Sequence, residues 1–368
     1  MTDDRQPGLR SMFDLVGDLP RQMLESAGLA GLDRIAAAPP VPGKRAILCG
    51  MGGSAIAGDL VQPLLEAGSC SLTVWRDYGL PGWCDGGDLV IASSYSGNTE
   101  ETLSGVEAAL ARGCPVVAVS SGGALTELAG SHDFPVVTLP GDLPPRASLG
   151  YGLGALVRIL GHLGVVVSAD LKIAAAARWL EAAAGHRGPG IPPAGPDPDG
   201  WPDCADLAAD LAGRLPVIFT AGEEAHAAGL RLKAQLNENG KSPALLAEFP
   251  ELDHNDLVGW EPGTVAPTDC RLIVLDSGPD PEGRLGLRVR TTLDLLAGQF
   301  PEPTVLRPAG DQPLARIMSL VQYGDFLSCH LAARRGLDPV PVERIERLKR
   351  VLARGSQPRE SGRRPEES

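Results

Sequence analysis

Aromatic residues are scarce in this chain, since Phe, Trp and Tyr together make up 4% of its 368 residues. A core must therefore be built from Ala, Leu and Val, and a chain of this length is expected to form two domains. Positive charge is also in deficit, with 33 Lys and Arg against 46 Asp and Glu. The net charge of −13 argues against a nucleic-acid partner, because a phosphate backbone needs a matching cationic surface.

Paired cysteines and long apolar runs are missing as well. The seven cysteines are scattered singly without a Cys-x-x-Cys pair, which suits a reducing compartment and disfavours structural zinc. The six histidines show no His-x-x-x-His spacing, so no metal site is predicted. No apolar run reaches membrane-spanning length, and the polar residues 1–7 lack the apolar core of a signal peptide. We therefore predict a cytoplasmic protein with no membrane partner.

The first half of the chain alternates short apolar runs with helical stretches. Unbroken apolar runs are typical of strands buried on both faces of a parallel sheet. This β-α order predicts a doubly wound α/β domain over residues 1–184. The predicted strands are 46–49, 88–92, 116–119 and 134–138, and the predicted helices between them are 55–66 and 99–112.

The second half predicts another α/β unit. Residues 185–203 are rich in Gly and Pro and are predicted to form a linker. The second domain is predicted over residues 204–354 and the polar residues 355–368 are predicted to be a disordered tail. Its predicted elements are strands 217–220 and 272–275, a helix over 224–236, and C-terminal helices over 313–335 and 341–352.

Two strand-to-helix junctions carry candidate anion-binding loops. Gly50-Met51-Gly52-Gly53-Ser54-Ala55 follows the first strand, and glycines there let backbone N–H groups at a helix N-terminus approach an anion. The same glycine spacing also fits a loose dinucleotide fingerprint with Asp77 downstream, or a plain tight turn. The sequence of this loop alone leaves these alternatives open.

The second junction, Ser93-Ser94-Tyr95-Ser96-Gly97-Asn98-Thr99-Glu100-Glu101-Thr102, is dense in hydroxyl groups. A capping box, with Asn98 as N-cap and Glu101 reaching back, would explain these two residues but not Ser94, Ser96 and Gly97. A hydroxyl-rich loop suits one terminal phosphate better than a pyrophosphate. The pair of loops therefore predicts a monophosphate site.

The run Ser94-Tyr95-Ser96-Gly97-Asn98-Thr99 resembles the phosphate loop of the sugar isomerase (SIS) domain family, and the strand before Gly50 resembles that family's first strand. The resemblance implies two doubly wound SIS-type domains with parallel sheets flanked by helices, plus C-terminal helices. It also implies a set of residues that contact a sugar's phosphate, namely Gly53, Ser54, Ser94, Ser96 and Thr99. Many SIS domains only sense sugar phosphates, so the loops do not by themselves predict an enzyme.

Two further segments carry groups suited to proton transfer. Gln235-Leu236-Asn237-Glu238-Asn239-Gly240-Lys241 ends a predicted helix, with Asn239-Gly240 as its turn, so Glu238 lies at a helix C-terminus as a candidate base. Within residues 248–256, His254 is surrounded by acids and could donate or accept a proton. A solvated Glu and a surface His are the ordinary alternatives for these two residues.

Residues 235–241 and 248–260 together resemble the bifunctional phosphoglucose/phosphomannose isomerase branch of the SIS group. The resemblance implies that Glu238 shuttles a proton between C2 and C1, and that His254 acts in ring opening across a homodimer interface. In Pro144-Pro145-Arg146, the resemblance places Arg146 near the enediolate, and it places Lys349 of the C-terminal helix in the site. A solvent-exposed loop Arg and an ordinary charged helix face are the alternatives for Arg146 and Lys349.

The expected activity is the interconversion of glucose 6-phosphate with fructose 6-phosphate, without metal or cofactor. Around residues 338–342, family members often carry a Thr that is associated with accepting the mannose epimer. Both candidate positions, Val340 and Val342, are Val in this chain, so the resemblance implies activity on mannose 6-phosphate less directly than on glucose 6-phosphate. The absence of metal-ligand spacing disfavours the zinc-dependent type of phosphomannose isomerase. The alternatives are a non-catalytic SIS module that senses a sugar phosphate and a nicotinamide-dependent oxidoreductase that uses residues 50–55.

Overall fold

The computed structural model describes residues 7–36, 45–189, 197–263, 265–278, 280 and 282–355. Helices pack on two parallel sheets, in the order that the alternating pattern predicts. The α-helices are α1 Pro7–Gly17, α2 Leu19–Glu25, α3 Leu32–Ala36, α4 Gly52–Val61, α5 Glu100–Arg112, α6 Gly123–His132, α7 Leu149–His162, α8 Ala169–Arg187, α9 Cys204–Leu211, α10 Glu223–Glu238, α11 Asp256–Gly259, α12 Arg284–Leu295, α13 Pro313–Arg334 and α14 Glu343–Gly355.

The first sheet has five parallel strands in the order β2-β1-β3-β4-β5. β3 and β4 are buried along their whole length, as their unbroken apolar sequences predict. Because β1 lies between β2 and β3, the chain crosses to opposite sides after β1 and after β3, which opens a crevice at the carboxyl ends of these two strands. The strands are β1 Arg45–Gly50, β2 Ser71–Trp75, β3 Leu89–Ser93, β4 Val116–Ser120 and β5 Val136–Thr138.

The second sheet has four parallel strands in the order β7-β6-β8-β9. Helix α10 follows β6 and returns the chain to the amino end of β7, so residue 238 lies at the opposite end of this sheet from residue 254. The strands are β6 Leu215–Ala221, β7 Leu245–Phe249, β8 Cys270–Asp276 and β9 Thr304–Leu306. The predicted fold class, two parallel α/β units with C-terminal helices, is confirmed.

Helix α13 joins the two sheets through the core. Its 22 residues pack on α1, α8, α9 and α10, and most of its side chains are buried. A single apolar cluster runs from Leu48 of β1 through Leu327 of α13 to Ile218 of β6. The helix that carries Glu238 is thereby fixed against the rest of the molecule.

The predicted linker and tail lie largely outside the described residues. Helix α8 continues to the buried Arg187, so the segment predicted from residue 185 begins inside a helix, while residues 190–196 and 356–368 are not described. The division into domains 1–184 and 204–354 stays a prediction. None of the helices in the described part of the chain is long and apolar enough to cross a bilayer.

Candidate active site

The two candidate phosphate loops lie side by side at the crevice of the first sheet, after β1 and after β3. The N-cap residues of α4 and α5 are Met51 and Thr99, and neither side chain caps its helix. The first-turn N–H groups of two helices therefore point toward the same crevice without a side-chain acceptor at the N-cap, which favours an anion there. The capping-box alternative is wrong in its N-cap, because Asn98 Oδ1 instead accepts from the Ala124 N–H at 3.0 Å.

The predicted phosphate-binding hydroxyls each make a hydrogen bond within or between the two loops. Ser54 Oγ accepts from the Tyr95 N–H at 3.2 Å and so joins the two loops. Ser94 Oγ lies 2.9 Å from Thr99 Oγ1, and Ser96 Oγ accepts from the Asn98 N–H at 3.2 Å. The structure brings these hydroxyls to one crevice and holds each in place.

Gly97 makes the tight turn of the second loop possible. Its φ is 68°, and a Cβ at this position would lie 1.7 Å from the carbonyl oxygen of Gly122. Its own carbonyl accepts from the Leu125 N–H at 2.9 Å, which ties the loop to α6. A side chain at residue 97 would therefore displace the hydroxyls on either side of it.

Tyr95 connects the phosphate loop to the segment that carries Arg146. Its hydroxyl donates to the Pro140 carbonyl at 2.8 Å and accepts from the Leu143 N–H at 3.0 Å. The backbone then passes close to the first loop, where a Cβ on Gly53 would lie 3.4 Å from the Pro145 oxygen. Arg146 is thus placed beside the crevice by backbone contacts.

The Arg146 side chain is 4% exposed and leads from the first sheet to the second unit. Its Nε donates to Asn239 Oδ1 at 2.7 Å, and its Nη2 donates to the carbonyls of Pro339 at 2.6 Å and Val340 at 2.9 Å. Its remaining terminal nitrogen, Nη1, lies 3.7 Å from Glu238 Oε2. Burial lowers the pKa of Arg146 and the Glu238 carboxylate opposes that shift. A guanidinium still carries its charge under these conditions.

At the end of α10, Asn239 lies on the buried face of the helix and Glu238 lies on a more exposed one. Arg231 and Asn239 are eight residues apart and share a buried face that meets α13. Arg231 forms an ion pair with Asp325 at 2.7 Å and also donates to the Arg146 carbonyl at 2.7 Å, while Asn239 Nδ2 donates to Ser328 Oγ at 3.0 Å. Glu238 faces another direction and its side chain is 28% exposed. The structure therefore presents a reachable carboxylate beside a buried cation.

Lys241 supports the end of α10 beside Glu238, a role that its sequence context does not predict. Its Nζ donates to the carbonyls of Glu238 at 2.6 Å, Pro339 at 3.2 Å and Pro341. An ammonium has three N–H donors, so these three carbonyls use them all and Lys241 acts by positioning the chain. Burial and the nearby Arg146 charge lower its pKa.

The chain turns after α10 at Asn239 and Gly240, as predicted. The residue with positive φ is Lys241, at 49°, whereas a Cβ on Gly240 would lie 2.8 Å from the Leu236 carbonyl oxygen. The polar sequence Asn239-Gly240 is typical of an exposed turn, yet Asn239 is fully buried. Only its partners on distant elements, Arg146 and Ser328, reveal its role.

His254 is not brought to Glu238 within one chain. It is exposed, on the 3-10 turn Glu251–His254 that follows β7. Leu252 of this turn packs with Phe219 on the face of the second sheet opposite the α10 contacts of Ile218. The five residues of β7 separate the two ends of the sheet by about 15 Å. Within one copy of the chain, His254 and Glu238 therefore lie at opposite ends of the second sheet and do not meet.

Lys349 lies on α14 and is exposed, without a contact to Glu238 or Arg146. Two valines occupy the positions that the family resemblance links to acceptance of mannose 6-phosphate. Val340 packs against the apolar core and Val342 is half-buried. In the described ranges, no three His, Cys, Asp or Glu side chains converge as a metal site.

Comparison with known proteins places the chain in a family. Residues 203–352 match the model of the bacterial phospho-glucose isomerase C-terminal SIS domain. A bifunctional phosphoglucose/phosphomannose isomerase of Caldicellulosiruptor bescii is 34% identical over 93% of this chain and 99% of its own length. An enzyme of the same name from Aquifex aeolicus is 34% identical over 84% of this chain and 91% of its own.

Solved structures support the fold. A hypothetical protein from Thermus thermophilus superposes with a TM-score of 0.71 at 19% identity, covering 94% of this chain and 90% of its own. A tagatose-6-phosphate ketose/aldose isomerase from Escherichia coli has a TM-score of 0.62 at 14% identity, covering 89% of this chain and 94% of its own. By its sequence relatives, the chain belongs to the bifunctional phosphoglucose/phosphomannose isomerase family.

Proposed function

We propose that the protein interconverts glucose 6-phosphate and mannose 6-phosphate with fructose 6-phosphate in the cytoplasm, through an enediolate. The observation that carries this proposal is the 3.7 Å approach of Arg146 Nη1 to Glu238 Oε2 beside the two hydroxyl-lined loops. A module that only senses a sugar phosphate needs the loops but not a partly exposed carboxylate paired with a buried cation. The names of the relatives also support catalysis.

The phosphate end of the sugar is proposed to occupy the crevice between α4 and α5. Gly53, Ser54, Ser94, Ser96 and Thr99 are the proposed contacts, with N–H groups of both helix N-termini as additional donors. A phosphate fixed there leaves the carbonyl end of an open hexose free to extend toward Arg146 and Glu238.

The chemical step requires one base and one fixed positive charge. The Glu238 carboxylate removes the C2 proton of the aldose and returns it to C1, while a hydroxyl proton passes from O2 to O1. The intermediate carries negative charge on its oxygens, and the Arg146 guanidinium, already desolvated and anchored at two sites, stabilises it without reorganisation. We propose that these groups act without a metal or other cofactor, so a chelator should leave the rate unchanged.

Ring opening is proposed to use His254 of a second copy of the chain. Within one chain this imidazole lies at the other end of the second sheet from Glu238, so a homodimer with shared sites accounts for both residues. Lys349 is proposed to complete the site from α14, which begins two residues after the Lys241 partner Pro341.

The deciding experiment uses Glu238→Gln and follows exchange of the C2 proton with solvent by NMR. The variant should lose the exchange by ~10²–10⁴-fold while binding a hexose 6-phosphate product with near wild-type affinity. A variant that keeps most of its turnover would remove Glu238 from the mechanism. Mixing Glu238→Gln with His254→Ala should restore activity in a quarter to a half of the shared sites; no recovery despite proven subunit exchange would contradict the shared site.

A further inference from the structure

The hydroxyl of Tyr95 is inserted into a turn of the chain that lies just before Arg146. Residues 140–143 form a bend between β5 and the short 3-10 turn that carries Arg146. In a closed β-turn the carbonyl of the first residue accepts from the N–H of the fourth. Here the Tyr95 hydroxyl bonds to both groups, since it donates to the Pro140 carbonyl at 2.8 Å and accepts from the Leu143 N–H at 3.0 Å. The turn is therefore held open by a side chain from another element.

The backbone of Tyr95 belongs to the second candidate phosphate loop. Its N–H donates to Ser54 Oγ at 3.2 Å, and its carbonyl accepts from the Ser121 N–H at 3.0 Å and from Ser121 Oγ at 2.6 Å. The side chain is 9% exposed and belongs to the same apolar cluster as Leu139 and Ala147, which lie on either side of the turn. Burial raises the pKa of Tyr95, so the hydroxyl keeps its proton and can donate it in a hydrogen bond.

We propose that Tyr95 is a positioning residue whose hydroxyl sets the location of Arg146 relative to the phosphate loops. This inference rests on the proposed isomerase function and adds a residue that acts through another, without touching the substrate. A hexose 6-phosphate has a fixed reach between its phosphate and its first two carbons. A guanidinium positioned from the phosphate loop itself therefore meets the enediolate oxygens at the correct distance.

Arg146 is anchored from both α/β units. Its guanidinium bonds to Asn239 and to the carbonyls of residues 339–340, and these bonds fix its position relative to Glu238. The Tyr95 hydroxyl bonds instead to the backbone three and six residues before Arg146 and ties that backbone to the phosphate loop. The two sets of contacts together determine the separation between the phosphate loops and the proposed charge stabiliser.

Loss of the hydroxyl would leave the Pro140 carbonyl and the Leu143 N–H without their partner. The two groups can then bond to each other, which closes the turn and shifts the residues that follow it, including Arg146. Asp142, the third residue of the turn, has a φ of 65°, a value that suits a closed type II turn. The backbone bonds of Tyr95 do not depend on its hydroxyl, so the phosphate loop should keep its shape.

Tyr95→Phe tests the positioning role, because Phe keeps the ring in the apolar cluster and removes only the hydroxyl. The variant should lower kcat at least ~10-fold while its Kd for inorganic phosphate, measured by titration calorimetry, stays within about twofold of the wild-type value. The matched control is Tyr151→Phe on α7, whose hydroxyl is also in a buried residue and donates to Glu25. The control should keep the wild-type kcat, with all proteins compared at a temperature at which circular dichroism shows them folded. A wild-type kcat in Tyr95→Phe, or an equal loss of phosphate affinity, overturns the positioning role.

A double-mutant cycle tests whether Tyr95 acts through Arg146. In an Arg146→Lys background, Tyr95→Phe should lower kcat by under ~2-fold, because the group that it positions is already gone. If the two losses multiply instead, Tyr95 acts independently of Arg146 and the inference is wrong. If Arg146→Lys and Glu238→Gln lose activity while Tyr95→Phe keeps it, the proposed function stands and the positioning role alone fails. A wild-type protein without isomerase activity overturns both.

Discussion

Arg146 and Asn239 lie 93 positions apart in sequence, and the Arg146 Nε donates to the Asn239 Oδ1 at 2.7 Å in the buried junction between the first sheet and α10. This bond fixes the plane of the guanidinium, so that the nitrogen facing Glu238 is determined by the fold rather than by the substrate. Because Asn239 directly follows Glu238, the same bond also sets the distance between the proposed base and the proposed charge stabiliser.

Arg146→Lys should lower kcat by ~10²–10³-fold, because a single ammonium cannot keep the bonds to Asn239 and Pro339 and also face the enediolate. The KM for a hexose 6-phosphate should change little, since the proposed phosphate contacts lie elsewhere, in the two loops after β1 and β3. Steady-state kinetics in both directions measure this, with Arg112→Lys on α5 as a matched control. Equal losses in kcat and affinity would assign Arg146 to substrate binding instead.

Lys241→Met should lower kcat by roughly 10²-fold, because without the ammonium the carbonyls of Glu238 and Pro339 are no longer tied together and the carboxylate loses its fixed position. Lys241→Arg, which keeps the charge and several donors, should recover much of this loss. The kinetics are measured beside thermal unfolding. A drop in Tm with an unchanged kcat would mean that Lys241 serves stability alone.

Gly97→Ala should weaken phosphate binding by at least ~10-fold, because the added methyl group meets the Gly122 carbonyl and the positive φ is strained for Ala. Titration calorimetry with inorganic phosphate or fructose 6-phosphate measures the effect. Gly130→Ala on α6, where a Cβ meets nothing within 4 Å, is the control that should bind normally. Wild-type affinity in Gly97→Ala would place the phosphate outside this loop.

The sequence predicts the first sheet best where the strands are fully buried. The apolar runs at 88–92 and 116–119 correspond to β3 and β4. These strands are recognisable because a strand buried on both faces has an unbroken apolar sequence. Strand β2, Ser71–Trp75, was missed because it is an edge strand with mostly half-exposed residues. Strand β9 has three residues and leaves no periodic signal.

The sequence predicts the hydroxyl-rich loops of the candidate site but not the residues that hold Glu238 and Arg146 in position. Ser94, Ser96 and Thr99 belong to one local run whose composition reveals it. Lys241 and Asn239 act through carbonyls and side chains on α13 and on residues 339–341, about 90 or 100 positions away. No local pattern encodes such contacts, and only the packed core brings these elements together.

Val342→Thr should raise the rate with mannose 6-phosphate relative to glucose 6-phosphate about fivefold, the equivalent of one hydrogen bond of about 1 kcal/mol. The half-buried Val342 is the position to change, because Val340 already packs in the core. A coupled assay with both substrates at equal concentration measures the ratio. Val340→Thr should leave the ratio unchanged while lowering stability, and an equal effect on the ratio from both substitutions would contradict this assignment.

Asp325→Asn should reduce the free energy of unfolding by roughly 3–5 kcal/mol, because it leaves the buried Arg231 charge without its partner. Both side chains are at least 96% buried, so water cannot replace the lost carboxylate. Urea unfolding measures the change, with Asp85→Asn as the control, since Asp85 pairs with Arg45 at the surface and its loss should cost under about 1 kcal/mol. Because Arg231 also donates to the Arg146 carbonyl, the folded variant should lose activity beyond what its unfolded fraction explains. If activity instead falls only in proportion to the folded fraction, the Arg231 and Asp325 pair contributes to stability and does not position Arg146.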